Sequence, residues 1–270
     1  MDRYAVMGNP VAHSKSPRIH MLFAEQNNQQ LQYDAILVET GGFRQAVADF
    51  LRQDGKGLNI TVPFKEEAWE LAATRSDRAE RAGAVNTLVL DAGGRHFGDN
   101  TDGAGLVRDL LHNHGAVLRN KRLLLVGAGG AARGVIEPLL GERPALLVIA
   151  NRTAEKAVEL ARLFCELGHT EGCGLDDVNG QAFDIIINAT AASLSGKVPA
   201  LPENVITANS WCYDMMYADK PTAFMDWAQQ RGAACCMDGL GMLVEQAAES
   251  FCLWRNVRPD TQAVIHAIRG

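Results

Sequence analysis

The segment RLLLVGAGGAARG, Arg122 to Gly134, joins a short apolar run to a glycine-rich turn and the start of a helix. Leu123, Leu124, Leu125 and Val126 suit one buried parallel strand, and the run Gly127 to Ala132 ends it abruptly. The spacing is G-x-G-x-x-A. One glycine permits the tight turn, a second lets backbone amides approach a pyrophosphate, and a small third residue lets helix and strand pack closely. Free N–H groups and the positive end of the helix dipole favour an anion there. Such turns also occur with nothing bound, so the segment that follows carries weight.

Ala145 to Ala150 reads as a second strand and runs into Asn151-Arg152-Thr153. In a dinucleotide-binding fold this corner, about 20 residues past the glycines, usually holds an acidic residue for the ribose 2′-hydroxyl. Arg152 and Lys156 stand in its place, and a guanidinium suits a 2′-phosphate, which points to NADP rather than NAD. Thr153 is expected to cap the next helix. The plainer alternative is an ordinary cap among solvated charges, and the glycine turn before it weighs against that.

With 270 residues the chain is near the upper limit for one core, so two domains are expected. Its 26 glycines, 47% hydrophobic content and alternating strand-like and helix-like segments indicate an α/β protein. A net charge of −6 without a long basic run argues against nucleic acid as a partner. Residues 1–20 lack a leader-like apolar stretch, and no run of about 18 apolar residues occurs, so no membrane partner and a cytoplasmic location are expected. The six cysteines lack C-x-x-C spacing and read as reduced, partly buried thiols in strands and helices. The seven histidines lack ligand spacing, so no metal is expected. Monomer and homodimer both remain open.

Tyr4 to Met7 is a short strand ending in Gly8-Asn9-Pro10. Ser14-Lys15-Ser16-Pro17 precedes Ile19, Leu22 and Phe23 at helical spacing, which makes Ser16 the expected N-cap with Pro17 at the first helical position. Ser14 is then spare, and two hydroxyls beside a helix start could also hold a carboxylate. Tyr33–Val38, Phe43–Leu51 and Gly57–Val62 read as strand, helix and strand of a parallel unit stopped by Pro63. Ligands bind at the carboxyl ends of such strands, where Thr61 and Lys65 fall; a surface Lys65 paired with Glu66 is the bland alternative. Gly83–Leu90 is a further strand containing Asn86, and His96–Gly98 a return strand. Asp99-Asn100-Thr101-Asp102-Gly103 then opens a helix through Leu106 and Leu110. Asp102 would serve as a dipole-favoured acid at that helix start, yet two carboxylates in one turn exceed what capping needs.

Beyond the nucleotide unit, Phe183–Thr190 is a buried strand with a polar end, and Cys212–Tyr217 resembles another. Thr222–Arg231 is helical, Ala233–Met237 a strand, and Asp238-Gly239-Leu240-Gly241-Met242 opens the helix that carries Gln246. Ala263–Ile268 forms the last helix.

Taken together, SKSP at Ser14–Pro17, NITVPFKE at Asn59–Glu66, GAVNT at Gly83–Thr87, GDNTDG at Gly98–Gly103, GAGGAAR at Gly127–Arg133, NRT at Asn151–Thr153 and DGLGMLVEQAA at Asp238–Ala248 resemble the shikimate dehydrogenase family, NADP-dependent enzymes of aromatic amino-acid biosynthesis. The resemblance spans almost the whole chain. It implies an N-terminal α/β substrate domain, residues 1–101, completed by the C-terminal helices of residues 240–270, and a Rossmann-like NADP domain over residues 102–239. It implies Lys65 and Asp102 as the catalytic pair, with Ser14 and Ser16 on the substrate carboxylate. Thr61, Lys65, Asn86, Asp102, Tyr217 and Gln246 match other substrate positions. Gly127, Ala128, Gly129, Gly130, Ala131, Asn151, Arg152, Thr153, Lys156, Thr190, Met215, Gly239 and Met242 match cofactor positions, and Asp77 a weaker one.

The implied chemistry is hydride transfer from NADPH to the ketone of 3-dehydroshikimate, with Lys65 supplying the proton and Asp102 holding the same oxygen and orienting Lys65. Three departures from the family pattern stand out. Ala191-Ala192-Ser193 follows Thr190 where serine and glycine are common, Lys156 replaces an Arg, and Ala132 is the third fingerprint residue. A broader quinate/shikimate dehydrogenase is a neighbouring reading, and a non-catalytic sensor of shikimate-like acids on the same fold is one of a different class.

Overall fold

A computed structural model describes residues 1–270, the side chain of Leu194 excepted. The chain divides into two units, Met1–Gly105 with Val244–Gly270, and Leu106–Leu243. The first runs β1 (Asp2–Gly8), α1 (Ser16–Gln26), β2 (Leu31–Leu37), α2 (Phe43–Arg52), β3 (Gly55–Ile60), α3 (Lys65–Leu71), β4 (Thr74–Arg75), α4 (Asp77–Ala82), β5 (Thr87–Val89) and β6 (Phe97–Asp99). Helix α5 (Asp102–Arg108) widens into a π-helical turn at Asp109–Asn113 and leads into the second unit. There follow β7 (Arg122–Val126), α6 (Gly130–Gly141), β8 (Leu146–Asn151), α7 (Ala154–Phe164), β9 (Thr170–Gly174), β10 (Ile185–Asn188), β11 (Trp211–Asp214), α8 (Ala223–Gln230) and β12 (Cys235–Met237). Helix α9 (Leu240–Arg255) brings Val244 onward back to the first unit, which α10 (Thr261–Arg269) completes. Among the described residues no helix is long and apolar enough to cross a membrane.

The second unit holds an all-parallel sheet in the order β12-β11-β10-β7-β8-β9. Its central strands are apolar on both faces, as strands covered by helices on either side must be. Leu123 and Leu125 pack with Val135, Ile136 and Leu139 of α6, whereas Leu124 and Val126 enter a second core with Phe183, Ile186 and Phe224. The alternation follows from the two-residue period of a strand.

The first unit has a mixed sheet in the order β2-β1-β3-β5-β6-β4. Strands β2 and β3 are both parallel to β1, and β5 runs antiparallel to β3 and β6. One face carries Met7, Leu58 and Ile60 against Phe43, Phe50 and Phe64. An aromatic group of Tyr4, His20, Phe23, Tyr33, Phe251 and Trp254 assembles separately. His20 stacks on Tyr33 with ring centroids 4.2 Å apart, and complete burial lowers its pKa to about 3, so it stays neutral. The indole of Trp254 lies so close to Gly57 that an added Cβ would stand 2.4 Å from it, which requires glycine there.

Several sequence expectations need correction. Helix α1 starts one residue early: Lys15 occupies the N-cap, Ser16 is already helical, and Ser14 Oγ accepts from the Ser16 amide at 3.3 Å. Strands β2 and β3 are parallel, as the strand–helix–strand reading expects, with β1 between them because the connection through α2 crosses over β1. Within Gly83–Leu90 only Thr87–Val89 is strand, since the charged stretch after Ser76 forms α4 and Gly83 ends it at φ +60°. Strand β3 stops at Ile60 and β11 at Asp214, short of Val62 and Tyr217. Strand β9, rich in glycine, was not anticipated. Thr153 holds the N-cap position of α7 without a side-chain cap bond. Cys165 is exposed at the end of that helix, outside any strand or helix.

Because Leu124 is fully buried in the middle of the parallel sheet, Leu124→Ala should cost about 3 kcal/mol of stability through lost transfer energy and a residual cavity. Urea unfolding of the two proteins checks this; a loss under about 1 kcal/mol would contradict close packing there.

Candidate active site

The first unit gathers a hydrogen-bonded constellation at strand ends and helix starts. Lys65 is the first residue of α3 and Asp102 the first of α5. Lys65 Nζ meets Asp102 Oδ2 at 2.5 Å across 37 residues of sequence. The other carboxylate oxygen, Oδ1, accepts from Asn86 Nδ2 at 2.8 Å. The amide of Asp102 donates to Asn100 Oδ1 at 3.2 Å, so Asn100 takes the capping task and the Asp102 carboxylate is turned to Lys65. Both side chains keep some exposure, 28% for Lys65 and 14% for Asp102. A lysine touching a carboxylate in a partly open site can, as the ammonium, pass a proton to a bound oxygen and, as the neutral amine, accept one from it.

Asn86 is oriented by its neighbours. Its Oδ1 accepts from the Thr101 amide at 2.9 Å and from Thr87 Oγ1 at 2.9 Å, which leaves Nδ2 to face Asp102. Asn86 Nδ2 and Thr101 Oγ1 each lie 3.4 Å from Gln246 Oε1. Behind them Ser250 Oγ, one helical turn after Gln246, accepts from Asn59 Nδ2 at 2.9 Å and meets Thr87 Oγ1 at 2.7 Å. Tyr33 OH donates to Asn59 Oδ1 at 2.7 Å. Burial raises the pKa of Tyr33 while a hydrogen bond with Ser16 lowers it, so the buried Ser16 hydroxyl joins the same chain. Thr61 follows β3 and donates its amide to Met7 O at 3.0 Å; a Cβ on Gly8 would stand 2.3 Å from its methyl group, so glycine admits Thr61.

The second acid of the DNTDG turn has another fate. Asp99 is buried, and Arg78 grips both its oxygens while the Ser76 hydroxyl and the Asn100 amide donate to it. Burial raises its pKa, but Arg78, Ser76 and Asn100 outweigh that and hold it below the usual carboxylate range. Asp99 therefore fastens the turn, and Asp102 is the acid left for chemistry. Asp77, at the start of α4, also belongs to the first unit, and Tyr217 to the second, where burial raises its phenol pKa.

In the second unit β7 ends at Val126 and Gly127 turns at φ +114° with an added Cβ only 3.2 Å from Thr190 Cγ2 and 3.4 Å from Ala189 O. Gly129 is the extended N-cap of α6 and has no side chain to cover the first amides. A Cβ on Gly129 or Gly130 would meet nothing within 4 Å, so the space over the helix start is open, as an approaching phosphate needs. Ala128 and Ala131 flank it, and Ala132 is fully buried against the core. At the end of β8, Asn151 Nδ2 donates to Thr153 O at 2.9 Å, shaping the corner. Arg152 and Lys156 are exposed there, and among the described residues neither has a protein partner. Two free cations beside an open helix start fit a nucleotide with an extra phosphate. Met215 follows β11; Gly239 lies 2.2 Å, as an imagined Cβ, from Met215 O, and Met242 is buried at the head of α9.

Sequence reasoning missed Asn59, Thr87, Thr101 and Ser250 as parts of the network. Asn59 was detectable as a lone amide in the apolar run Leu58–Val62, because a buried amide needs partners.

Three family models match: "Shikimate dehydrogenase substrate binding domain" over residues 6–88, "Shikimate / quinate 5-dehydrogenase" over 109–231 and "Shikimate 5'-dehydrogenase C-terminal domain" over 239–269. A shikimate dehydrogenase (NADP(+)) of Alkalilimnicola ehrlichii is 56% identical, over 99% of this chain and 98% of its own. The crystal structure of an Ael1 enzyme from Pseudomonas putida superposes with a TM-score of 0.94 at 48% identity, covering 99% of this chain and 98% of that one. A Thermus thermophilus shikimate 5-dehydrogenase solved with NADP(H) and shikimate gives a TM-score of 0.88 at 32% identity, covering 100% and 99%.

Asp99 contributes stability that is complete above the unfolded carboxylate value near about 4 and is lost as pH falls through its lower folded value. Arg78→Ala removes the charge that holds that value down, so its acid unfolding midpoint should move to higher pH than wild type. A pH titration of the far-ultraviolet circular dichroism checks this, and coincident midpoints would refute the role given to Arg78.

Proposed function

The chain belongs to the shikimate dehydrogenase family, and from that premise we propose that it interconverts 3-dehydroshikimate and shikimate with NADP as cofactor. The contact between Lys65 and Asp102 carries this reading. When bound, NADPH supplies the hydride to the ketone carbon. As negative charge grows on the ketone oxygen, the Lys65 ammonium donates a proton to it; in the other direction Lys65 accepts the proton of the shikimate hydroxyl. Asp102 accepts from Lys65 and, with Asn86 holding its second oxygen, keeps the ammonium aimed at that hydroxyl. Ser14 and Ser16 hold the carboxylate at the start of α1, Thr61 and Gln246 take ring hydroxyls, and Tyr217 is a further substrate position. Gly127 to Ala131 take the pyrophosphate, Arg152 with Lys156 the 2′-phosphate, and Asn151 and Thr153 the ribose corner. Thr190, Met215, Gly239, Met242 and Asp77 are the remaining cofactor positions in this reading. The protein acts in the cytoplasm as a monomer or homodimer.

The match to a shikimate/quinate model favours one second reading, in which quinate is also oxidised. Steady-state rates on both acids with both nicotinamide cofactors separate the two.

Lys65→Ala should lower kcat by about 10²–10⁴-fold, the usual worth of a positioned acid/base, while shikimate still binds by calorimetry. Turnover near the wild-type rate would overturn the assignment. Arg152→Ala should raise the KM for NADPH about tenfold, the size of one lost charge-assisted contact, and leave that for NADH unchanged. Equal effects on both cofactors would refute a 2′-phosphate role.

A further inference from the structure

Asp214 closes β11 and is fully buried, yet the chemistry above does not use it. Among the described residues no cation compensates it: its partners are neutral donors. Ser193 Oγ donates to Oδ2 at 2.6 Å, while Asn188 Nδ2 and the Met216 amide donate to Oδ1 at 3.1 Å each. The Thr222 hydroxyl is a further donor. Burial raises the pKa of Asp214, and these four bonds pull the other way.

The donors come from the segments that border the glycine turn. Asn188 ends β10, and its own Oδ1 accepts from Thr190 Oγ1 at 2.7 Å and from the Thr190 amide at 3.1 Å. Thr190 is the residue whose methyl group lies against Gly127. Met216 follows Met215 directly. In the sheet order β12-β11-β10-β7-β8-β9 the chain builds outward from β7 to β9 on one side and from β10 to β12 on the other. The reversal falls between β7 and β10, and a ligand of such a sheet sits outside the carboxyl ends of the strands at that point. One wall there is the Gly127 turn. The other is the segment 189–195, and Asp214 ties it to the ends of β10 and β11.

We propose that Ser193 and Asp214 are positioning residues: the Ser193 hydroxyl, anchored on the buried Asp214 carboxylate, holds the segment 189–195 as the second wall of the cofactor crevice. The inference rests on the cofactor reading given above.

The test compares wild type with Ser193→Ala, Asp214→Asn, Asp214→Ala and the double variant Ser193→Ala/Asp214→Ala. NADPH affinity is read by fluorescence titration without substrate, beside kcat, the KM for shikimate and the thermal midpoint. Ser193→Ala should weaken NADPH binding about tenfold, as loss of a hydrogen bond to a charged acceptor does, with the shikimate KM and thermal midpoint unchanged. Asp214→Asn keeps an oxygen for Asn188 and Met216 and an amide for Ser193, so it should bind NADPH better than Asp214→Ala. The double variant should be no worse than Asp214→Ala, because the two residues share one interaction. Unchanged NADPH affinity in Ser193→Ala overturns this inference alone, as does a loss that follows a lowered thermal midpoint. Failure of the wild type to bind NADPH overturns the cofactor reading and this inference with it.

Discussion

A buried amide with two obligations holds the first unit's site together. Asn86 must find acceptors for its NH₂ and donors for its oxygen, since a buried polar group left unmatched costs about 1–3 kcal/mol. The Thr101 amide and the Thr87 hydroxyl claim the oxygen, so the NH₂ is committed to Asp102. Asp102 then has one oxygen free, and Lys65 takes it. The Lys65–Asp102 contact is thus the outer end of a buried chain that begins at Tyr33 and Asn59 of the sheet and Ser250 of α9. A network this fully matched is rigid because moving one member strands another.

The second unit solves a different problem by different means. Its expected ligand is an anion that arrives from solution, so the useful groups must be left unmatched by protein. Gly129 and Gly130 leave the helix start bare, and among the described residues the Arg152 and Lys156 side chains stay unpaired at the neighbouring strand end. The cost of keeping cations free is small in water, where exposed ion pairs contribute about 0–1 kcal/mol in any case. What must be rigid there is the backbone that aims these groups. Gly127 supplies it through a positive φ that side chains rarely adopt, and Asp214 through bonds to three segments at once.

How much of this was legible depends on the range of the interaction. The strand, turn and helix of residues 122–141 were readable because an apolar run, a glycine spacing and a small buried Ala132 are local signals. The helix read over Thr222–Arg231 was equally local, and α8 occupies Ala223–Gln230 with Thr222 as its cap. The start of α1 misled by one residue, because Ser-Lys-Ser-Pro offers two hydroxyls and only the backbone angles of Lys15 settle which end is helical. The short α4 escaped because six charged and small residues carry no apolar stripe of their own.

The amino-acid sequence by itself determined the α/β class, the glycine turn with its cationic corner, and the family, since ordered motifs are properties of the chain and survive without coordinates. Only the tertiary structure decided which acid of the DNTDG turn was spent on Arg78 and which remained for Lys65, which way Asn86 points, and that β1 separates β2 from β3. The physical reason is that these choices are competitions for hydrogen-bond partners that reach as far as 191 positions along the chain. Such contests have no trace in local spacing and are resolved only when the sheet brings the rivals together.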